Sequence, residues 1–261
     1  MQHKSIKIDI SEFPKEIRQF ISPSELFDKS SSKDAKILFS NKEHGYYIKY
    51  AAKGALASEV EMTRYFHKKS LASEVIEYIS EEKDWMVTKK LLGEDCISQK
   101  YLEQPERLCE KLAENLALLH TIDYKDCPFY NRTDLYIKKA INNYSNKMYD
   151  KTLFPDNWGY DSAEEAYKTI KNESKFLQKD TLIHGDYCLP NIILNNWNLS
   201  GFIDLDNAGV ADRHIDLFWA GWSLCFNLKT DKYRERFFDC YGRNKINQDV
   251  FRVVAACEVF G

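Results

Sequence analysis

The chain of 261 residues has no apolar run approaching the roughly twenty residues that a membrane-crossing helix needs. Its first residues lack the apolar stretch of a secretory leader, so the expectation is a soluble, cytoplasmic protein with no membrane partner. It has no Cys-x-x-Cys pair, and its seven cysteines lie scattered at 96, 109, 127, 188, 225, 240 and 257. An odd, scattered set gives neither a zinc pattern nor a disulfide framework, and reduced thiols are the economical reading. It also lacks an excess of positive charge: 37 basic against 40 acidic residues leave a net −3, which gives no reason to expect nucleic acid as a partner. The rest is an ordinary soluble composition, 44% hydrophobic and 30% charged, with the aromatic share at 14% on the high side. A chain of this length can bury a substantial core as one large domain or as two lobes.

Two blocks carry the chemistry. The first is His184-Gly185-Asp186-Tyr187-Cys188-Leu189-Pro190-Asn191; the second is Gly201-Phe202-Ile203-Asp204. Strand-like runs flank them at 181–183, 191–194 and 199–205. A strand–loop–strand arrangement would carry Asp186, Asn191 and Asp204 to one end of a hairpin, within reach of one metal ion. Asn and Asp oxygens are hard ligands suited to Mg²⁺, which keeps waters and is completed by substrate phosphates. The Asp-x-x-x-x-Asn spacing is also that of the protein-kinase catalytic loop, whose Asp takes the proton of the substrate hydroxyl while the Asn holds metal. His-Gly-Asp stands where protein kinases have His-Arg-Asp, and Ile-Asp-Leu where they have Asp-Phe-Gly. The bland reading is a surface loop followed by a core strand. Both blocks in order, with a lysine and a glutamate upstream, weigh against it.

Upstream, residues 6–10 read as a strand and 13–21 as an amphipathic helix. Residues 35–39 and 46–50 read as a hairpin with a turn at 41–45 and, at its head, the polar loop 30–34, which contains no glycine. In 46–50 the side chains alternate, so Tyr47 and Lys49 share a face, where a cation could meet phosphates and a ring could stack on adenine. A helix at 55–69 and strands at 74–80 and 84–88 complete a five-stranded antiparallel sheet with one helix. The segment 89–93 follows as a hinge whose backbone would pair with a purine edge. Beyond it, Leu108, Leu112, Leu116 and Leu119 recur at helical spacing, with His120 closing that face in a core role. Further helices are expected at 136–148, after Asp212 and Asp216, at 230–241 and at 247–259. The stretch 150–165 carries five acids against Lys151; Glu164 and Glu165 suit a helix N-terminus.

With Tyr46-Tyr47-Ile48-Lys49, Asp126-Cys127-Pro128-Phe129, Asp156-Asn157-Trp158 and Glu258-Val259-Phe260, these blocks resemble the aminoglycoside phosphotransferase family, and its 3'-phosphotransferases most closely. The resemblance runs nearly end to end. It implies an α+β, bilobal, protein-kinase-like fold, with a nucleotide-binding lobe at 1–91 and a mostly helical catalytic and substrate-binding lobe, bearing a catalytic hairpin, at 92–261. It implies transfer of the γ-phosphate of ATP, or GTP, to a hydroxyl of a cationic aminoglycoside, the 3'-hydroxyl first, as an antibiotic-resistance activity.

In that scheme Asp186 is the catalytic base, and Asn191 and Asp204 hold Mg²⁺. Lys49 meets the α and β phosphates and Glu61 fixes Lys49, with Glu59 the rival by simple register. Tyr47, Ser31, Ser32, Lys89, Leu91 and Ile203 surround the nucleotide, while Asp156, Asp161, Glu258, Phe260 and Asp206 receive the aminosugar. Asp216 braces the catalytic loop through backbone N–H groups. Some positions depart from the family pattern. Gly159 and Cys257 stand where relatives carry acids, Gly261 extends the tail by one residue, and Asp206-Asn207 replaces the usual Gly-Arg. The rivals are a kinase of the same fold acting on choline, a macrolide or homoserine, and a non-catalytic pseudokinase. A protein kinase is disfavoured, because no Asp-Phe-Gly or Ala-Pro-Glu segment occurs.

Overall fold

The computed structural model describes residues 5–6, 8–21, 25–30, 33–150 and 159–261. In chain order its elements are β1 (Ser5–Ile6), α1 (Lys15–Arg18), β2 (Leu26–Asp28), β3 (Ala35–Ser40), β4 (Tyr46–Ala52), α2 (Ala57–Lys68), β5 (Val75–Ser80) and β6 (Lys83–Lys89). There follow β7 (Glu94–Asp95), α3 (Gln99–Leu102), α4 (Pro105–Leu119), α5 (Arg132–Ser145), α6 (Ala163–Glu173), β8 (Thr181–Ile183), β9 (Ile192–Asn195), β10 (Asn198–Phe202) and β11 (Gly209–Ala211). The chain closes with α7 (His214–Leu228), α8 (Lys232–Tyr241) and α9 (Gln248–Glu258). No helix among the described residues is long and apolar enough to cross a membrane.

The chain forms two compact units. One comprises Met1–Glu94 with Ile193–Asp206; the other comprises Asp95–Ile192 with Asn207–Gly261. The sequence reading left the β9–β10 hairpin with the second lobe, but it packs with the first. Phe202 N donates to Leu71 O at 2.7 Å, residues 72 and 202 form a parallel bridge, and the Phe202 ring meets Phe66 edge-on at 6.2 Å. Gly93 makes this approach sterically open: at φ +106° a Cβ there would lie 2.1 Å from the Leu194 carbonyl oxygen.

The sheet of the first unit runs β1-β2-β3-β4-β6-β5, antiparallel throughout. It has one strand more than expected, because Leu26-Phe27-Asp28 is too short to display an alternation. In β4 the period of two sorts side chains between two cores. Tyr46 and Ile48 join Phe13, Ile17, Ile21 and Trp85 on the α1 side, and Ala51 joins Leu56, Val60 and Met86 on the α2 side. Lys49, in step with Ala51, therefore faces α2. The turn into α2 is held by buried Asp84, which accepts from the backbone N–H groups of Gly54 at 2.9 Å and Leu56 at 2.8 Å. Burial alone would raise its pKa, but these bonds and those from Ser80 and Tyr78 outweigh it and hold the carboxyl below its usual range.

The second unit is helical around two short antiparallel strands, β8 and β11. Leu108, Leu112, Leu116 and Leu119 of α4 are fully buried, while Leu118 on its other side is exposed, and α4, α7 and α8 pack together. A second core gathers α5, α6, α7 and α9, with Ala166, Ile170, Val253, Val254 and Ala256 all sealed from solvent. Glu164 and Glu165 occupy the first turn of α6, whose N-cap Ser162 accepts from Glu165 N. The α+β class expected from the sequence is the one observed: an antiparallel sheet with one main helix, then a helical region.

Candidate functional site

In the first unit, Lys49 Nζ donates to Glu59 Oε2 at 2.6 Å and to Asp204 Oδ1 at 2.9 Å. This corrects the expectation of Glu61. On α2 the buried positions 59, 60, 62, 63, 65 and 66 form one broad helical face centred near 59, 63 and 66, while residue 61 lies off that face and is exposed. Burial alone would lower the pKa of the Lys49 ammonium, but the charges of Glu59 and Asp204 and the bonds to them outweigh it and raise it. Burial, reinforced by Asp204 and Asp206, pushes the Glu59 carboxyl up to about 7 against the pull of Lys49. Above that pH the pair is an ammonium held by two carboxylates.

Asp204 sits in the left-handed region at φ +60°, a conformation that short polar side chains tolerate. Its side chain is half exposed, and its second carboxylate oxygen accepts no hydrogen bond among the described residues. The neighbouring expected positions fare differently. Tyr47 is half-buried and packs on Phe39, with ring centroids 5.1 Å apart, and Ile203 is exposed at 42%. The main chain of Lys89 is already engaged, its N–H with Glu74 O and its carbonyl with the Ser73 hydroxyl, because β6 runs through this residue. Leu91 lies past the strand, and its main-chain groups make no hydrogen bond among the described residues. Asp206 is exposed, and its carbonyl accepts from the Ser58 hydroxyl at 3.0 Å. Ser31, Ser32 and Asp156 lie outside the described residues.

In the second unit the His-Gly-Asp loop is pinned from beneath. Asp216, fully buried, accepts from His184 N at 2.8 Å and Gly185 N at 2.7 Å, the bracing expected of it. His120 adds a contact to Asp216 Oδ2 at 3.1 Å and another to the Tyr241 hydroxyl at 2.8 Å, in the core role expected. Gly185 has φ +84°, and a Cβ would stand 2.3 Å from the Asn207 carbonyl oxygen, so no other residue fits there without moving the loop. Asn191 Nδ2 donates to Asp186 Oδ2 at 2.9 Å and to its carbonyl at 3.0 Å. The Asn191 Oδ1 atom accepts nothing among the described residues. Asn191 and Asp204 thus each retain an oxygen of the hard type that Mg²⁺ takes.

Asp186 opens onto a cavity of about 410 Å³, walled by Tyr136 and Lys139 of α5, Trp219 and Trp222 of α7, and Glu258 of α9. Glu258 is 6% exposed, and its Oε1 accepts from the Tyr136 hydroxyl at 2.7 Å and from Trp219 Nε1 at 3.0 Å. Burial pushes its carboxyl up to about 7, against the pull of these donors and of Lys139.

Three other expected substrate contacts, Asp206, Phe260 and Asp161, are not part of this lining. Phe260 is 1% exposed and packs edge-on against Tyr144 and Tyr149, because an apolar ring two residues beyond α9 gains more from the core than from a polar site. Asp161 is exposed beside the α6 N-terminus, where its N–H is held by Glu165 Oε2 at 3.2 Å. Sequence reasoning missed Tyr136, Lys139, Trp219 and Trp222. The i, i+3 spacing of the two tryptophans was the one available signal.

A strand lysine paired with a helix glutamate, and an Asp-x-x-x-x-Asn loop braced by a buried aspartate, define a phosphotransferase of kinase-like build. Residues 42–254 match the model of the phosphotransferase enzyme family (APH), and the chain belongs to that family. It is 48% identical, over 99% of its length and 98% of the relative's, to the "Probable aminoglycoside 3'-phosphotransferase" of Lactococcus lactis subsp. lactis (strain IL1403). It is 32% identical to the aminoglycoside 3'-phosphotransferase of Niallia circulans, over 68% of this chain and 67% of that one. Among solved structures, an aminoglycoside-3'-phosphotransferase of type VIII shares the fold at a TM-score of 0.74 and 20% identity, covering 99% of this chain and 94% of that one. An aminoglycoside phosphotransferase of Streptomyces rimosus in complex with ADP and streptomycin matches at a TM-score of 0.69 and 20% identity, over 86% and 90% of the two chains.

Proposed function

We propose that this enzyme transfers the γ-phosphate of ATP to a hydroxyl of a cationic aminoglycoside, the 3'-hydroxyl, and so confers resistance. The observation that carries the reading is the cavity in which Asp186 and the buried carboxylate Glu258 line one wall system. It supplies an acceptor for a hydroxyl proton and a negative charge for an ammonium. The full-length relative named for this activity supports the substrate class.

Phosphoryl transfer passes through a loose transition state, so the protein mainly positions groups and neutralises charge. In this reading Lys49, kept charged by Glu59 and Asp204, binds phosphate oxygens of the triphosphate. Leu91 offers its main chain to the purine, and Tyr47 and Ile203 offer apolar surface. Asn191 and Asp204 are the residues that would hold Mg²⁺, which when bound neutralises developing phosphate charge. Asp186, oriented by Asn191, accepts the proton of the attacking hydroxyl. Asp216 fixes the loop that carries Asp186, through His184 N and Gly185 N. Glu258 takes the acceptor's ammonium through Oε2, since Oε1 is filled by Tyr136 and Trp219. The seven cysteines are all free, which fits a reducing compartment, and we place the reaction in the cytoplasm.

The test is a coupled ADP-release assay across kanamycin-type and neomycin-type acceptors, with choline, homoserine and a macrolide alongside. Release with the aminoglycosides and not with the others is expected. Release with choline, homoserine or the macrolide alone would transfer the proposal to the corresponding small-alcohol kinase. Release with no acceptor would leave a nucleotide-binding scaffold.

A further inference from the structure

Two cations stand on the wall of the acceptor cavity, Arg132 and Lys139, and they are not equivalent. The Arg132 guanidinium is engaged: Nε donates to the Ala208 carbonyl at 2.7 Å, and the group lies 4.2 Å from the centre of the Phe129 ring. Lys139 projects from α5 with its side chain exposed, and among the described residues it makes no ion pair. Its charge nevertheless acts on the cavity, because it is one of the groups that offset the burial of Glu258. Apart from Asn207, two cysteines and two glycines, the rest of the wall is aromatic or aliphatic, with Asp186 and Glu258 as the carboxylate side chains among the described lining residues.

We propose that Lys139 is a specificity-determining residue that sets how much positive charge the acceptor can carry. The cavity then favours an acceptor whose reacting ring brings one ammonium to Glu258 and disfavours further ammonium groups near α5. The physics is Coulombic. A concave, partly apolar wall concentrates the field of a charge, and an ammonium on that wall repels each ammonium of the acceptor, so its effect grows with their number and a neutral ring is almost unaffected. This rests on the acceptor assignment proposed above and refines it from "cationic" to "sparingly cationic at the α5 side".

Lys139→Gln is the test, with Lys138→Gln as control, since Lys138 is an exposed neighbour that does not line the cavity. The probes are an aminoglycoside with several ammonium groups, read as KM, and a sugar with one amine, read as an inhibition constant. Lys139→Gln is expected to lower KM for the former about three- to tenfold, to shift the latter by less than about twofold, and to leave KM for ATP unchanged. The difference should shrink as salt is raised from about 0.05 to 0.5 M, because exposed charge is screened. An unchanged ratio of the two constants, or the same change in Lys138→Gln, overturns the role of Lys139 while leaving the acceptor assignment standing. If the wild-type enzyme phosphorylates no aminoglycoside, the acceptor assignment fails and the role of Lys139 fails with it.

Discussion

Two glutamates are buried to the same degree, one in each unit, and burial pushes both carboxyls to about 7: Glu59 at 4% exposure and Glu258 at 6%. Their partners differ. Glu59 faces a permanent cation, Lys49, at 2.6 Å, so its charge is consumed within the protein. Glu258 accepts from two neutral donors, Tyr136 and Trp219, both on a single oxygen, and the Lys139 ammonium acts on it without an ion pair, so its charge is stabilised but not cancelled. A carboxylate neutralised internally holds another side chain in place, whereas one solvated by neutral dipoles is left to attract a ligand. The comparison assigns Glu59 to the service of a polyanion, through Lys49, and Glu258 to the service of a cation.

The largest effect expected lies beside the second glutamate. Asp186→Asn should lower kcat about 10²- to 10⁴-fold, as loss of a general base does, with nucleotide affinity by calorimetry nearly intact. Turnover close to wild type would remove Asp186 from the chemistry. Next, Glu59→Gln should lower kcat/KM for ATP about 10- to 100-fold, the equivalent of one charge-assisted hydrogen bond of roughly 1.5–3 kcal/mol, while Glu61→Gln stays within about twofold. Equal effects at 59 and 61 would undo the register found in α2.

The pH dependence sharpens the contrast at Glu258. Its charged form is the one that binds, so kcat/KM for the acceptor should rise with pH through about 7, and Glu258→Gln should lose that rise. Stability runs the other way. A carboxyl whose folded-state pKa is raised binds more protons in the folded state than in the unfolded state between its ordinary value near 4.5 and about 7. Stability is therefore lost as pH climbs through that window. Glu258→Gln, which keeps an acceptor oxygen for Tyr136, should accordingly raise Tm at pH 8, by an increment that vanishes near pH 4. The smallest change is Gly185→Ala, expected to lower stability by about 1–3 kcal/mol through a strained φ and a clash with Asn207, read by chemical denaturation.

Legibility in the sequence followed the range of the contacts. Asp186 and Asn191 lie five residues apart, and the loop that unites them is written in one motif. The α4 leucines and the alternation of β4 are local periodicities, and they placed the core and the face of Lys49. The Lys49 partner was also legible, since 59, 62, 63 and 66 share a helical face; the family resemblance pointed to Glu61, and register decided otherwise. The acceptor cavity was not legible, because Tyr136 meets Glu258 across 122 positions and Trp219 meets it across 39. No local pattern encodes such meetings. The tail Glu-Val-Phe reads as a pair of contacts, yet α9 turns Glu258 into the cavity and Phe260 into the core.

The division of labour between the two glutamates is tested most directly by measuring KM for ATP and KM for an aminoglycoside in Glu59→Gln and Glu258→Gln side by side, at pH 8. The predicted result is a crossed pattern: Glu59→Gln raises KM for ATP and barely moves that for the acceptor, and Glu258→Gln does the reverse. If Glu258→Gln raises both constants equally, or leaves the acceptor constant where it was, the account of the second carboxylate is wrong.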